Sequence, residues 1–156
     1  MPKTLYKINV QIDEIFAGDV EPRRVREAAR VALTEQAAPR PGELTIAITD
    51  DDALQRLNRQ FLGHDQPTDV LSFPAEETEQ TPHYFGDVVI SFPRAYAQAE
   101  AGRHPVEAEI QLLIVHGVLH LLGHDHARPQ EKARMWAAQA EILRQLKSPI
   151  TGPVEG

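Results

Sequence analysis

From Val106 to Leu122 the chain reads VEAEIQLLIVHGVLHLL, and between Leu112 and Leu122 only His116, Gly117 and His120 interrupt a run of Leu, Ile and Val. A helix that is apolar on nearly every side has no face to give to water, so other elements must enclose it. This one segment therefore predicts a layered domain with a buried central helix. Gly123 is suited to the left-handed residue that stops such a helix and turns the chain back.

The segment also carries an unusual load of imidazole. HGVLHLLGHDH (116–126) places four histidines in eleven positions. His116 and His120 are four apart and, at ~100° per residue, point within about 40° of each other. Two rings one turn apart on one face suit two ligands of a single tetrahedral ion. The turn at Gly123 allows His126 to come round as a third. Burying three imidazoles with no shared partner is costly, which favours a metal over three isolated core side chains. The chain has no cysteine, so thiolate clusters and disulfides are excluded and His, Asp or Glu must hold any transition metal. Three protein ligands with an open fourth position is the catalytic rather than the structural zinc pattern. His124 is the extra ring and falls outside the ligand set. Asp125 is a candidate acceptor for a ligand's ring N–H or, equally, a cap for the turn.

The rest of the chain supplies the layers. TLYKINVQI (4–12), ELTIAIT (43–49), DVLSFPA (69–75) and FGDVVISF (85–92) read as strands. Pro22 opens an amphipathic helix to about Ala38, and Thr49 with Asp50, Asp51 and Asp52 announces a second that runs through Phe61. Pro93 opens a third, 106–122 is the fourth, and 129–147 is the fifth. The connection 75–84 is the most polar and is expected to be the most mobile. The tail from about 148 is expected to fray. The fold class predicted is α+β: a small mixed four-stranded sheet with about five helices, one domain over 1–156.

The formal charge of −7 argues mildly against nonspecific coating of nucleic acid but leaves a nucleic-acid enzyme open, because charge can be segregated. Arg23, Arg26 and Arg30 share one helical face by spacing. They form either a solvated face opposite Val25, Ala29 and Ala32 or an RNA-facing patch. No run reaches the ~18 apolar residues of a membrane span, and the N-terminal stretch lacks a signal-peptide core, so no membrane association and a cytoplasmic location are expected.

His116, His120, Gly123 and His126 match the four His and Gly positions of the extended zincin peptidase motif H-E-x-x-H-x-x-G-x-x-H, but Gly117 stands where the Glu would be. Peptide hydrolysis would lack its general base, whereas a metal alone suits a phosphodiester, where charge stabilisation matters most. HGVLHLLGHDH fits every fixed position of H-G-x-L-H-L-x-G-x-D-H, the signature of the YbeY-type bacterial metallo-endoribonucleases, also called rRNA maturation factors. PTDVLSFP (67–74) and FGDVVIS (85–91) agree as well, and the chain resembles that family over roughly residues 5 to 146. The resemblance implies an α+β fold and one zinc per chain held by His116, His120 and His126. It further implies cleavage of single-stranded RNA, maturation of the 16S rRNA precursor at its 3′ end, ribosome quality control, and the small ribosomal subunit as a partner.

One position departs from the family pattern. The arginine expected in N-x-x-(Tyr/Phe)-Arg is Leu62, following Asn58-Arg59-Gln60-Phe61. Arg59, one turn earlier, is the candidate replacement in the catalytic groove or else an ordinary exposed helix arginine. Asp69 and Ser72 either shape the cleft or serve the backbone. Two other functions compete with the nuclease: a non-catalytic ribosome-assembly factor stabilised by zinc, and a zincin-like peptidase.

Overall fold

A computed structural model describes residues 5–76 and 83–150. Four strands, β1 (Tyr6–Ile12), β2 (Gly42–Thr49), β3 (Val70–Pro74) and β4 (His83–Ser91), form one sheet in the order β1-β2-β4-β3. β1 and β2 are parallel, β2 and β4 are parallel, and β3 runs antiparallel to β4. Five helices accompany them: α1 (Pro22–Glu35), α2 (Asp51–Leu62), α3 (Phe92–Gly102), α4 (Val106–Leu121) and α5 (Pro129–Gln145). The α+β class and the mixed sheet are as the sequence predicts.

Alternation along the strands sorts the helices. Ile8, Leu44, Ile46, Ile48, Val88 and Ile90 point to one side and join the main core with Val25, Ala29 and Leu33 of α1 and the apolar body of α4. Leu71 and Val89 point to the other side, where Leu54 of α2 completes a smaller cluster with Phe73 and Leu57 against it. α4 is buried without interruption from Ala108 to Leu119, so the helix that the sequence marks as enclosed is enclosed. Its approach to the sheet is unusually close at Gly117. A Cβ there would lie 2.6 Å from Val88 Cγ1 and 3.2 Å from Ser72 Oγ, and the Ser72 hydroxyl donates to the Gly117 carbonyl at 3.1 Å. A glycine is what lets helix and strands meet at this point.

Helix ends follow the expected chemistry. Asp50 caps α2 by accepting from the Ala53 N–H at 2.8 Å, with Asp51 and Asp52 in the first turn. Asp51 also holds Arg94 through two bonds of 3.1 Å, and that guanidinium, against the opposing effect of burial and with help from Ser91, keeps the Asp51 carboxyl below its ordinary range. α1 stops at Glu35 rather than near Ala38, because Ala37 adopts a positive φ of 50° and closes the helix early. β4 begins at His83, ahead of Phe85, since its pairing with β2 extends to Gly42. A short 3-10 helix at Glu14–Phe16, capped by Asp13, has no counterpart in the sequence reading. Residues 77–82 of the polar connection and 151–156 of the tail lie outside the described residues.

Candidate metal centre

The C-terminal half of α4 and the turn after it bring three rings together. His116 and His120 present their Nε2 atoms to each other at 3.2 Å. Gly123, at φ 98°, reverses the chain, with its N–H bonding the His120 carbonyl at 3.0 Å and the His124 N–H reaching back to Leu119 at 3.0 Å. His126 then closes the group: one ligand nitrogen from each ring lies within 4.8 Å of the other two. Its ring centroid is 5.8 Å from that of His116 and 5.2 Å from that of His120.

The far sides of the rings decide what the near sides can do. His116 Nδ1 faces Oε1 of Gln139, a fully buried side chain of α5, at 3.1 Å. A carboxamide oxygen only accepts, so Nδ1 carries the proton and Nε2 keeps its lone pair. The His116 lone pair fixed this way faces His120 Nε2 at 3.2 Å. A tetrahedral ion with N–metal bonds of ~2.0–2.1 Å separates two ligand nitrogens by about 3.3 Å. The donor set therefore fits a metal. Burial, then the charge of His120, pushes His116 down to about 4; burial and then His126 lower His120 as well. Protons then compete little with a cation near neutral pH.

The triad opens into a cleft of about 550 Å³ between α4, α5 and β3. Asp69, Ser72, Lys132 and Trp136 are among the residues lining it. The Asp69 carboxylate accepts from Gln98 Nε2 at 3.2 Å. Lys132 Nζ sits 4.3 Å from the centroid of the Trp136 ring.

Several candidates fall elsewhere. Asp125 takes the turn-capping role, with Oδ1 accepting from the His126 N–H at 2.7 Å; the ring-orienting partner of a histidine is instead Gln139. His124 turns outward to Gln36, 2.7 Å away, and is not part of the triad. Arg59 does not enter the cleft. It is exposed and lies 3.7 Å from Asp65, while Leu62 is itself half exposed. Arg23, Arg26 and Arg30 are exposed on the outer face of α1, opposite buried Val25, Ala29 and Ala32, and none lines the cleft. Gln139, Lys132 and Trp136 were not singled out by sequence. Their spacing of i, i+4 and i+7 puts them on one stripe of α5, but nothing in one sequence tells which helix that stripe faces.

The sequence model of the family described as Endoribonuclease YbeY matches residues 9–147. The chain belongs to the YbeY family. Relatives named Endoribonuclease YbeY include that of Chloroflexus aurantiacus, 44% identical over 153 residues that make up 93% of this chain and 98% of the relative. That of Halalkalibacterium halodurans is 40% identical, covering 87% of this chain and 95% of the relative. The solution structure of TM1509 from Thermotoga maritima shares the fold at a TM-score of 0.57 and 21% identity, covering 95% of this chain and 97% of that one. Among the described residues, no helix is long and apolar enough to cross a membrane.

Proposed function

We propose that this protein is a zinc-dependent endoribonuclease that cuts single-stranded RNA in the cytoplasm, acting in 16S rRNA 3′-end maturation and in ribosome quality control, with the small ribosomal subunit as a partner. The observation that carries the proposal is the convergence of His116, His120 and His126 on one point in an open cleft, in a chain of the YbeY family. Bound zinc would supply the positive charge that polarises a phosphoryl oxygen. The protein's own contribution is to bring three imidazoles together on one point. Gln139 holds the His116 ring by its Nδ1–H, and the Ser72 bond to the Gly117 carbonyl fixes α4 against the strand that forms the opposite wall. Asp69, kept in place by Gln98, is the one carboxylate lining the cleft among the described residues, and is the proton acceptor available there. Position 117 faces Val88 and Ser72, so a peptidase-type glutamate has no room there, which favours RNA over peptide as substrate.

The test is to incubate metal-loaded protein with end-labelled single-stranded RNA and, separately, with casein. Discrete RNA products that vanish with chelator and with His116→Ala, alongside intact casein, support the proposal. Intact RNA at full zinc content would instead favour a zinc-stabilised assembly factor.

A further inference from the structure

We propose that Lys132, held across the face of Trp136, is the side chain that binds a phosphate of the RNA beside the three-histidine site. The inference rests on the ribonuclease reading above and assigns the substrate contact within that site.

A cleft that takes a polyanion needs cations on its walls, yet Lys132 is the one lysine or arginine lining it among the described residues. The arginine face of α1 lies outside the cleft, and Arg59 is turned toward Asp65. The fixed negative charge on the lining is Asp69, which is engaged by Gln98. Lys132 has no ion-pair partner among the described residues. Its acidic helix neighbour Glu131 lies 3.9 Å from Arg128 instead.

An exposed lysine normally spends its side-chain entropy in water, but the Lys132 ammonium lies 4.3 Å from the Trp136 ring centroid. The ring's negative face attracts the cation and narrows where it can be, without using up its N–H donors as a carboxylate would. Trp136 is one helical turn beyond Lys132 and three residues before Gln139. One stripe of α5 thus orients His116 at its inner end and presents a positioned ammonium at its outer end. Trp136 acts through Lys132 and is a positioning residue; Lys132 touches the substrate.

Trp136 is the single tryptophan of the chain, so its fluorescence reports on the cleft directly. The experiment titrates chelator-treated protein, which cannot turn over, with a short single-stranded oligoribonucleotide at several salt concentrations. The same variants are then assayed for cleavage after metal loading. The parent should show saturable fluorescence quenching. Lys132→Ala should raise Kd and KM about tenfold, keep kcat within about threefold, and flatten the slope of log Kd against log salt by about 0.7, the share of one phosphate contact on a single strand. Lys132→Arg should restore both affinity and slope. Trp136→Leu, followed by anisotropy of a labelled oligonucleotide, should give a partial loss with the salt slope kept, since the cation remains but is no longer positioned. A parent that cuts RNA while Lys132→Ala keeps its affinity and salt slope would overturn this inference alone. A fall in kcat with KM unchanged would also overturn it. A parent that neither binds nor cuts RNA would remove the ribonuclease reading with it.

Discussion

Gln139 Oε1 stands 3.1 Å from Nδ1 of His116, joining the middle of α5 to the metal centre through a bond enclosed in the core. The bond fixes which nitrogen of His116 faces its neighbours, and it does so from a residue 23 positions away in sequence.

Gln139→Leu would keep the volume and delete the acceptor. The His116 N–H would then be buried without its partner, at a cost of about 1–3 kcal/mol, and the ring would be free to rotate its lone pair away. Metal affinity should fall about 10–100-fold, measured by competition with a chromogenic chelator. Gln139→Glu should hold the metal at least as well as the parent. Equal zinc affinity in Gln139→Leu and the parent would show that packing alone orients the ring.

Gly117→Ala tests the close contact of α4 with the sheet. In an exposed helix this change stabilises by roughly 0.5–1 kcal/mol. Here the new methyl would sit 2.6 Å from Val88 Cγ1, so a net loss of about 1–3 kcal/mol is expected. Adding Val88→Ala should recover part of the loss, because the two side chains compete for one space. Urea midpoints of the two single variants and the double variant measure the coupling. Simple additivity would mean that the helix shifts to accept the methyl.

How far the sequence carries depends on the range of the interaction. The enclosed helix, the His116–His120 pair and the glycine turn are legible because they lie within one continuous segment, where 3.6-residue periodicity and turn chemistry act locally. The β1-β2-β4-β3 order and the pairing of Gln139 with His116 depend on contacts between distant elements, which periodicity does not encode. Gly117 illustrates the limit. Read along the chain, it is a missing glutamate; in the fold it is the point where Val88 and Ser72 touch the helix. Asp125 likewise offered two roles, and only the turn geometry decides for the bond to its neighbour's N–H.

The assignment of the third ligand is open to direct measurement. His126 belongs to the convergent group, whereas His124 points to Gln36 on the far side of the turn. His126→Ala should therefore lose most of the bound zinc, and His124→Ala should retain about one ion per chain. Elemental analysis of protein purified without chelator reads this out. The reverse pattern would place His124 at the metal and require a different turn after Gly123.

The metal-free protein should carry a recognisable dependence of stability on pH. His116 is neutral in the fold until about pH 4, held there chiefly by burial, while in the unfolded chain it takes a proton near pH 6.5. Between those values the unfolded state binds more protons, so lowering the pH favours unfolding. Above about pH 6.5 both states are neutral and nothing is lost; below about pH 4 both are charged and the loss is complete. For His116 alone the full effect is about 3 kcal/mol, gained at up to ~1.4 kcal/mol per pH unit within the window. His120 and His124, lowered in the same direction by burial, steepen it. Carboxylates titrate at the acid end too, so the informative quantity is the difference between chelator-treated parent and chelator-treated His116→Gln. Urea unfolding at pH 7.5, 6.0 and 5.0 should show the parent losing stability faster than the variant as the pH falls. Parallel profiles would mean that His116 is already accessible to protons in the folded state, and that the cleft is wetter at its base than the packing of α4 against α5 implies.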